Sequence, residues 1–137
     1  MADGERTVLV VEDDPDLSAL LAVILAEAGY PVMTAGDGIE ALERVAERLP
    51  GLVLLDMRIP RMNGWEFARE FRARHGNACP IAVITAAENA RLRAQEIQAD
   101  AWLEKPFDLE EVLRLVARHL GPPAPPPADP AGAAPAP

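Results

Sequence analysis

Cysteine is almost missing from this chain. Cys79 is the only one, so no intrachain disulfide can form and a reducing cytoplasm suits the protein best. Standing between a polar loop and an apolar run, Cys79 reads as a small filler at a strand edge rather than a reactive thiol. Positive charge is scarce as well: 13 Lys and Arg against 22 Asp and Glu leave a formal net charge of −9. That balance argues against direct DNA binding and against an anionic membrane, and it fits a cation site or a partner presenting basic groups. Long apolar runs are absent; no segment approaches the ~18 residues needed to span a bilayer. The first residues, Met-Ala-Asp-Gly-Glu-Arg, are too polar to open a signal peptide. The two histidines, His75 and His119, lie in polar helix ends with no Cys or His nearby, which gives no histidine-based metal site.

What remains is 137 residues, half of them hydrophobic. That is one domain, long enough to bury roughly two-thirds of the surface its unfolded chain exposes. The apolar residues fall into two alternating patterns. Short runs at 7–11, 31–35, 52–56, 80–84 and 101–104 read as strands. Between them come helical stripes: Leu17, Leu20, Leu21, Ile24 and Leu25; Ile39, Leu42, Val45, Ala46 and Leu49; Trp65, Phe67, Ala68 and Phe71; a weaker one over 87–98 with Leu92 and Ile97; and Leu109, Val112, Leu113, Val116 and Leu120. Pro15 and an acidic first turn start the first helix and Gly29 stops it, while Asp14, Asp37 and Asp108 are candidate caps. Five strand–helix repeats predict an α/β fold, a doubly wound five-stranded parallel sheet with helices on both faces. The folded domain is expected over 1–121. The segment 122–137 is nearly all Pro and Ala and reads as an extended, mobile tail.

The ends of the strands carry the chemistry. Val53-Leu54-Leu55-Asp56 is an apolar run that closes in one carboxylate, at the strand end where open α/β sheets bind ligands. The first strand ends in Glu12-Asp13-Asp14, the fourth in Thr85 and the fifth in Lys105. Carboxylates clustered on one edge cannot all stay ionised without a cation. Hard oxygen ligands in that number suit Mg²⁺, and a lysine and a hydroxyl beside them suit a phosphoryl group. Asp56, on the central strand, is the carboxylate best placed to accept it.

The segments Val-Leu-Val-Val-Glu-Asp-Asp, Leu-Val-Leu-Leu-Asp-Met-Arg-Ile-Pro-Arg-Met-Asn-Gly, Val-Ile-Thr-Ala and Leu-Glu-Lys-Pro-Phe together resemble the receiver domain of bacterial two-component response regulators, over residues 6 to about 120. The resemblance implies a CheY-like, flavodoxin-like sheet with strand order 2-1-3-4-5. It implies that Asp56 accepts a phosphoryl group from a sensor histidine kinase or phosphotransfer protein. Asp13 and Asp56 would bind Mg²⁺ directly with the backbone carbonyl of Arg58, and Glu12 would act through water. Lys105 would pair with Asp56, Thr85 would swing onto the phosphoryl group, Trp102 would take the aromatic switch position, and the Lys105-Pro106 bond would be cis. On this reading the chain is a stand-alone cytoplasmic regulator and not a metabolic enzyme, its output passing to a downstream protein or to a homodimer.

Each residue also has a plainer reading. Thr85 alone is an ordinary β-branched strand residue, Lys105 alone a solvated charge, Trp102 a core or partner-facing aromatic, Asp14 a helix cap. Gly64 reads as a turn requiring positive φ, Trp65 as core, and Arg91 to Glu96 as a solvated face. It is the combination that favours the switch over a receiver-like interaction module that is never phosphorylated. A phosphate-ester hydrolase of the haloacid-dehalogenase type wants a second aspartate two residues after the nucleophile, where this chain has Arg58. Two departures from the family pattern stand out: Thr85 to Lys105 is shorter than usual, and Gln98 replaces a frequent glycine. Arg58 and Ala87 flank the path of an attacking water, so Arg58 is expected to influence the lifetime of phospho-Asp56.

Overall fold

The structure is a computed structural model describing residues 6–86 and 89–122. The Pro/Ala stretch from 123 onward and Ala87 lie outside the described residues. In chain order come β1 (Val8–Val11), α1 (Pro15–Glu27), β2 (Val32–Ala35), α2 (Gly38–Glu47), β3 (Leu52–Leu55), α3 (Gly64–His75), β4 (Ile81–Thr85), α4 (Ala90–Glu96), β5 (Ala101–Glu104) and α5 (Leu109–Leu120). The strands pair in parallel in the order β2-β1-β3-β4-β5. Val11 lies beside both Ala35 and Leu55, so β1, β2 and β3 finish level.

β1, β3 and β4 are buried along their whole length, as continuous Val/Leu/Ile runs require when both faces of a sheet are covered. Alternate residues feed two cores. Leu9, Val11, Val53, Leu55, Ile81 and Val83 pack with α2, α3 and Ala94 of α4. Val8, Val10, Leu52, Leu54, Ala82 and Ile84 pack with α1 and α5. Phe67 and Phe71, one turn apart on α3, stack with ring centroids 5.5 Å apart in the first core.

Local signals start the helices. Asp14 accepts from the Asp16 and Leu17 N–H groups, Asp37 accepts from Glu40, and Asn63 and Glu66 form a reciprocal capping box. Gly29, at φ 99°, follows the end of α1. Among the described residues no helix is long and apolar enough to cross a membrane.

Several expectations need correction. α2 ends at Glu47, so Leu49 falls beyond it and is exposed, as are Leu20 and Val23 on α1. α4 has seven residues, not twelve, and buries Ala90 and Ala94 while Leu92 faces out. Small side chains let a short helix sit close against the sheet. Gly64 does not have positive φ; its reason is proximity, since a Cβ there would lie 2.6 Å from Met57 Cα and 2.7 Å from Met57 Sδ. The left-handed position in that connection is Arg61, at φ 64°. Trp65 packs against the first core as expected but is half-buried, and it also bridges two helices, its indole N–H donating to Glu96 Oε1 at 2.8 Å.

Candidate functional site

Asp56 follows β3 directly, and its backbone N–H donates to Val11 O at 3.0 Å, continuing the ladder for one residue. Its side chain is almost fully enclosed. Oδ1 accepts from the Arg58 backbone N–H at 3.0 Å and from the Thr85 hydroxyl at 3.2 Å. Oδ2 accepts from Lys105 Nζ at 2.9 Å. The same ammonium donates to Glu12 Oε1 at 2.6 Å, and Glu12 Oε2 accepts from the Asp14 N–H at 3.1 Å. One lysine from β5's end thus holds a carboxylate from β1's end and another from β3's end, over sequence separations of 93 and 49 residues.

The electrostatics follow from burial. Removal from water, together with the Asp56 charge, raises the Glu12 carboxyl above its ordinary value despite the Lys105 contact and the Asp14 N–H. Burial pulls the Lys105 ammonium down, and its hydrogen bonds to Glu12 and Asp56 outweigh that, leaving it above the ordinary lysine value.

Asp13 is exposed at the mouth of this arrangement. Glu12, Asp13 and Asp56 each present a carboxylate oxygen, and these oxygens lie within 4.8 Å of one another. Three oxygen donors at that spacing, with a single ammonium to offset them, fit a hard divalent cation. Asp14 is occupied as the α1 cap and does not join them. The Arg58 side chain is exposed while its backbone lies against Asp56.

The structure therefore gathers Glu12, Asp13, Asp56, Thr85 and Lys105. The Thr85 hydroxyl hydrogen-bonds Asp56 Oδ1 directly. Trp102 stands apart, 46 % exposed on β5 with the Arg91 guanidinium 6.0 Å from its ring centroid. The Lys105-Pro106 bond is cis. Gln98, where the family often has glycine, adopts the left-handed φ of 54° at the exit from α4. Sequence reasoning missed the Trp65–Glu96 bridge and the ion pair of Arg61 with Asp37, at 2.8 Å. The second had a signal: a non-glycine residue in a turn, opposite an Asp-Gly turn.

Cys79 is buried away from this edge, and burial together with the Asp100 charge pushes its thiol up to about 12. It is inert packing.

The family model of the response regulator receiver domain matches residues 8–117. Over 120 residues the chain is 39% identical to response regulator MprA of Mycobacterium sp. (strain KMS), covering 84% of this chain and 52% of that protein. Over 117 residues it is 38% identical to the DNA-binding response regulator MtrA of Mycolicibacterium smegmatis, covering 84% and 50%. The chain spans about half the length of these curated relatives. The solved structure of response regulator TrrA from Thermotoga maritima in complex with Mg(2+)-BeF is similar with a TM-score of 0.75 at 33% identity, covering 84% of this chain and 99% of that one. Since the matched span takes in all five strands and all but the end of α5, the chain belongs to the response regulator receiver domain family, the signalling modules of two-component systems.

Proposed function

We propose that this domain is a phosphoacceptor switch and that Asp56 receives the phosphoryl group. The single observation that carries the reading is Lys105 Nζ, 2.9 Å from Asp56 Oδ2 inside a cluster of three carboxylates. Glu12, Asp13 and Asp56 would hold Mg²⁺ with the Arg58 carbonyl, and the bound ion would supply charge neutralisation of the transferred group. An Asp56 carboxylate oxygen attacks phosphorus, the bond from phosphorus to a donor histidine nitrogen breaks, and that nitrogen keeps the electron pair. Lys105 offsets the negative charge that arrives, and the Thr85 hydroxyl donates to a phosphoryl oxygen. The donor is a histidine kinase or phosphotransfer protein.

Transfer of the Thr85 hydrogen bond from Asp56 to the phosphoryl group biases α4, β5 and Trp102 between two packings. The exposed Trp102 supports a readout through a protein surface, a downstream partner or a second copy. The net charge of −9 supports protein contacts of this domain rather than direct DNA contact, and the single reduced Cys79 supports a cytoplasmic setting.

The test is phosphorylation by acetyl phosphate with Mg²⁺, followed by intact-mass measurement. Wild type gains one phosphoryl group and Asp56→Ala gains none; an adduct on Asp56→Ala, or none on wild type, sinks the reading. Arg58→Ala is expected to change the dephosphorylation rate without abolishing phosphorylation, and an unchanged rate removes Arg58 from the mechanism.

A further inference from the structure

Residues 57–63 join Asp56 to α3. Their first half touches the site, through the Arg58 N–H on Asp56 Oδ1. Their second half turns at Arg61. There φ is 64° and the Met62 N–H donates to Pro60 O at 2.7 Å, a three-residue turn of the rarer hand. An arginine holds such a backbone only where its surroundings impose it.

What imposes it is the turn after β2. Arg61 Nε and Nη2 lie 2.9 and 2.8 Å from Asp37 Oδ2, while Asp37 Oδ1 caps α2 through the Glu40 N–H at 2.8 Å. The Gly38 N–H donates to Met62 O at 3.1 Å, and a Cβ on Gly38 would sit 2.2 Å from that oxygen. Burial raises the Asp37 carboxyl, but the Glu40 N–H and the Arg61 guanidinium bring it below the usual range, so it stays ionised.

Strand order gives these contacts their meaning. β1 lies between β2 and β3, with the Glu12 N–H on Ala35 O at 3.0 Å and the Asp56 N–H on Val11 O at 3.0 Å. The 37–38 turn and the 57–63 connection therefore close a circuit of hydrogen bonds through the ends of β2, β1 and β3. Glu12 and Asp13 leave β1 within that circuit.

We propose that Arg61 and Asp37 are a positioning pair: they hold the 57–63 connection so that the Arg58 backbone completes the cation and phosphoryl site at Asp56. The proposal rests on the phosphoacceptor reading and extends it to two residues that touch neither the ion nor the phosphoryl group. Because the Arg61 side chain is more than half exposed, the pair adds little to global stability, and its effect on the site is separable from folding.

The test uses the full chain with Arg61→Gly, which accepts positive φ, Asp37→Asn, which keeps a capping oxygen, the double variant, and Arg61→Lys. Mg²⁺ dissociation constants come from amide shifts at Asp13 and Arg58, acetyl phosphate rates are taken at low and saturating Mg²⁺, and urea unfolding reports stability. Each charge-deleting variant should weaken Mg²⁺ about tenfold, the range found when partners of ligands are removed. The double variant should be no weaker than either single, as for two members of one interaction. Saturating Mg²⁺ should restore most of the rate, Arg61→Lys should recover part of the affinity, and urea midpoints should stay near wild type. Unchanged Mg²⁺ affinity in both single variants overturns the pair's role, as does a loss that tracks unfolding. Wild type that takes up neither Mg²⁺ nor phosphoryl groups overturns the phosphoacceptor reading and, with it, this one.

Discussion

Where β3 ends, every side of the chain is engaged; where β5 runs, one side is open. Asp56 sits under Lys105, Thr85 and the Arg58 backbone, between two strands buried from end to end. β5 is an edge strand whose Trp102 is 46 % exposed, and the neighbouring α4 has seven residues and buries only alanines. Beside it a groove of about 600 Å³ opens between α3 and the end of α4, with Trp65, Ala68, Arg72 and Ile97 among its walls. On the phosphoacceptor reading, the difference teaches where each demand of a switch is met. Charges that must keep a fixed spacing stand at the ends of strands held from both sides. The part proposed to shift lies at the edge of the sheet, where lower local stability permits two packings.

The comparison breaks first if the two regions respond alike to truncation. Phe67→Ala empties a fully buried position of the α3 core and should cost about 3–5 kcal/mol in urea unfolding. Leu92→Ala on α4 should stay within about 0.5 kcal/mol, the range of surface substitutions.

Next in size is Lys105→Met, which leaves Glu12 and Asp56 without their cation and should cost about 1–3 kcal/mol at pH 7. The pH sign follows from the raised lysine. Its contribution is complete below the unfolded value of 10.5 and disappears as the pH climbs through the higher folded value. Wild type should lose stability in that alkaline window, and Lys105→Met should show no such step.

A smaller effect sharpens the picture of α4. Trp65→Phe deletes the indole hydrogen bond to Glu96 and should cost about 0.5–1.5 kcal/mol. Amide exchange should quicken in α4 and remain unchanged in β3; equal protection of α4 in both proteins would mean that something else tethers it. The smallest expected effect is at Cys79. A thiol pushed up to about 12 should stay unreactive toward a thiol reagent at pH 8 until the protein unfolds.

Much of this was legible in the sequence because it is periodic or terminal. Continuous runs such as 52–55, bounded by Pro50-Gly51, read as strands covered on both faces, and Asp14 and Asp37 signal helix starts within a few residues of chain. The site residues were legible because each stands at the end of such a run. Exposure within a stripe was not: Leu20, Leu49 and Leu92 look apolar in sequence and face water, since only the neighbouring helices decide which part of a stripe is covered. Gly64 misled for a related reason. A glycine reports either unusual φ or a close approach, and the Met57 side chain that forbids a Cβ is visible only in the packed structure.

By itself the sequence determined the alternation of strands and helices, the cap positions and the residue types at each strand end, because these depend on interactions a few residues long. Tertiary structure alone decided that Lys105 would also hold Glu12 and that Arg61 would meet Asp37 across β1. Contacts between residues 24 to 93 positions apart depend on strand order, which no local pattern encodes.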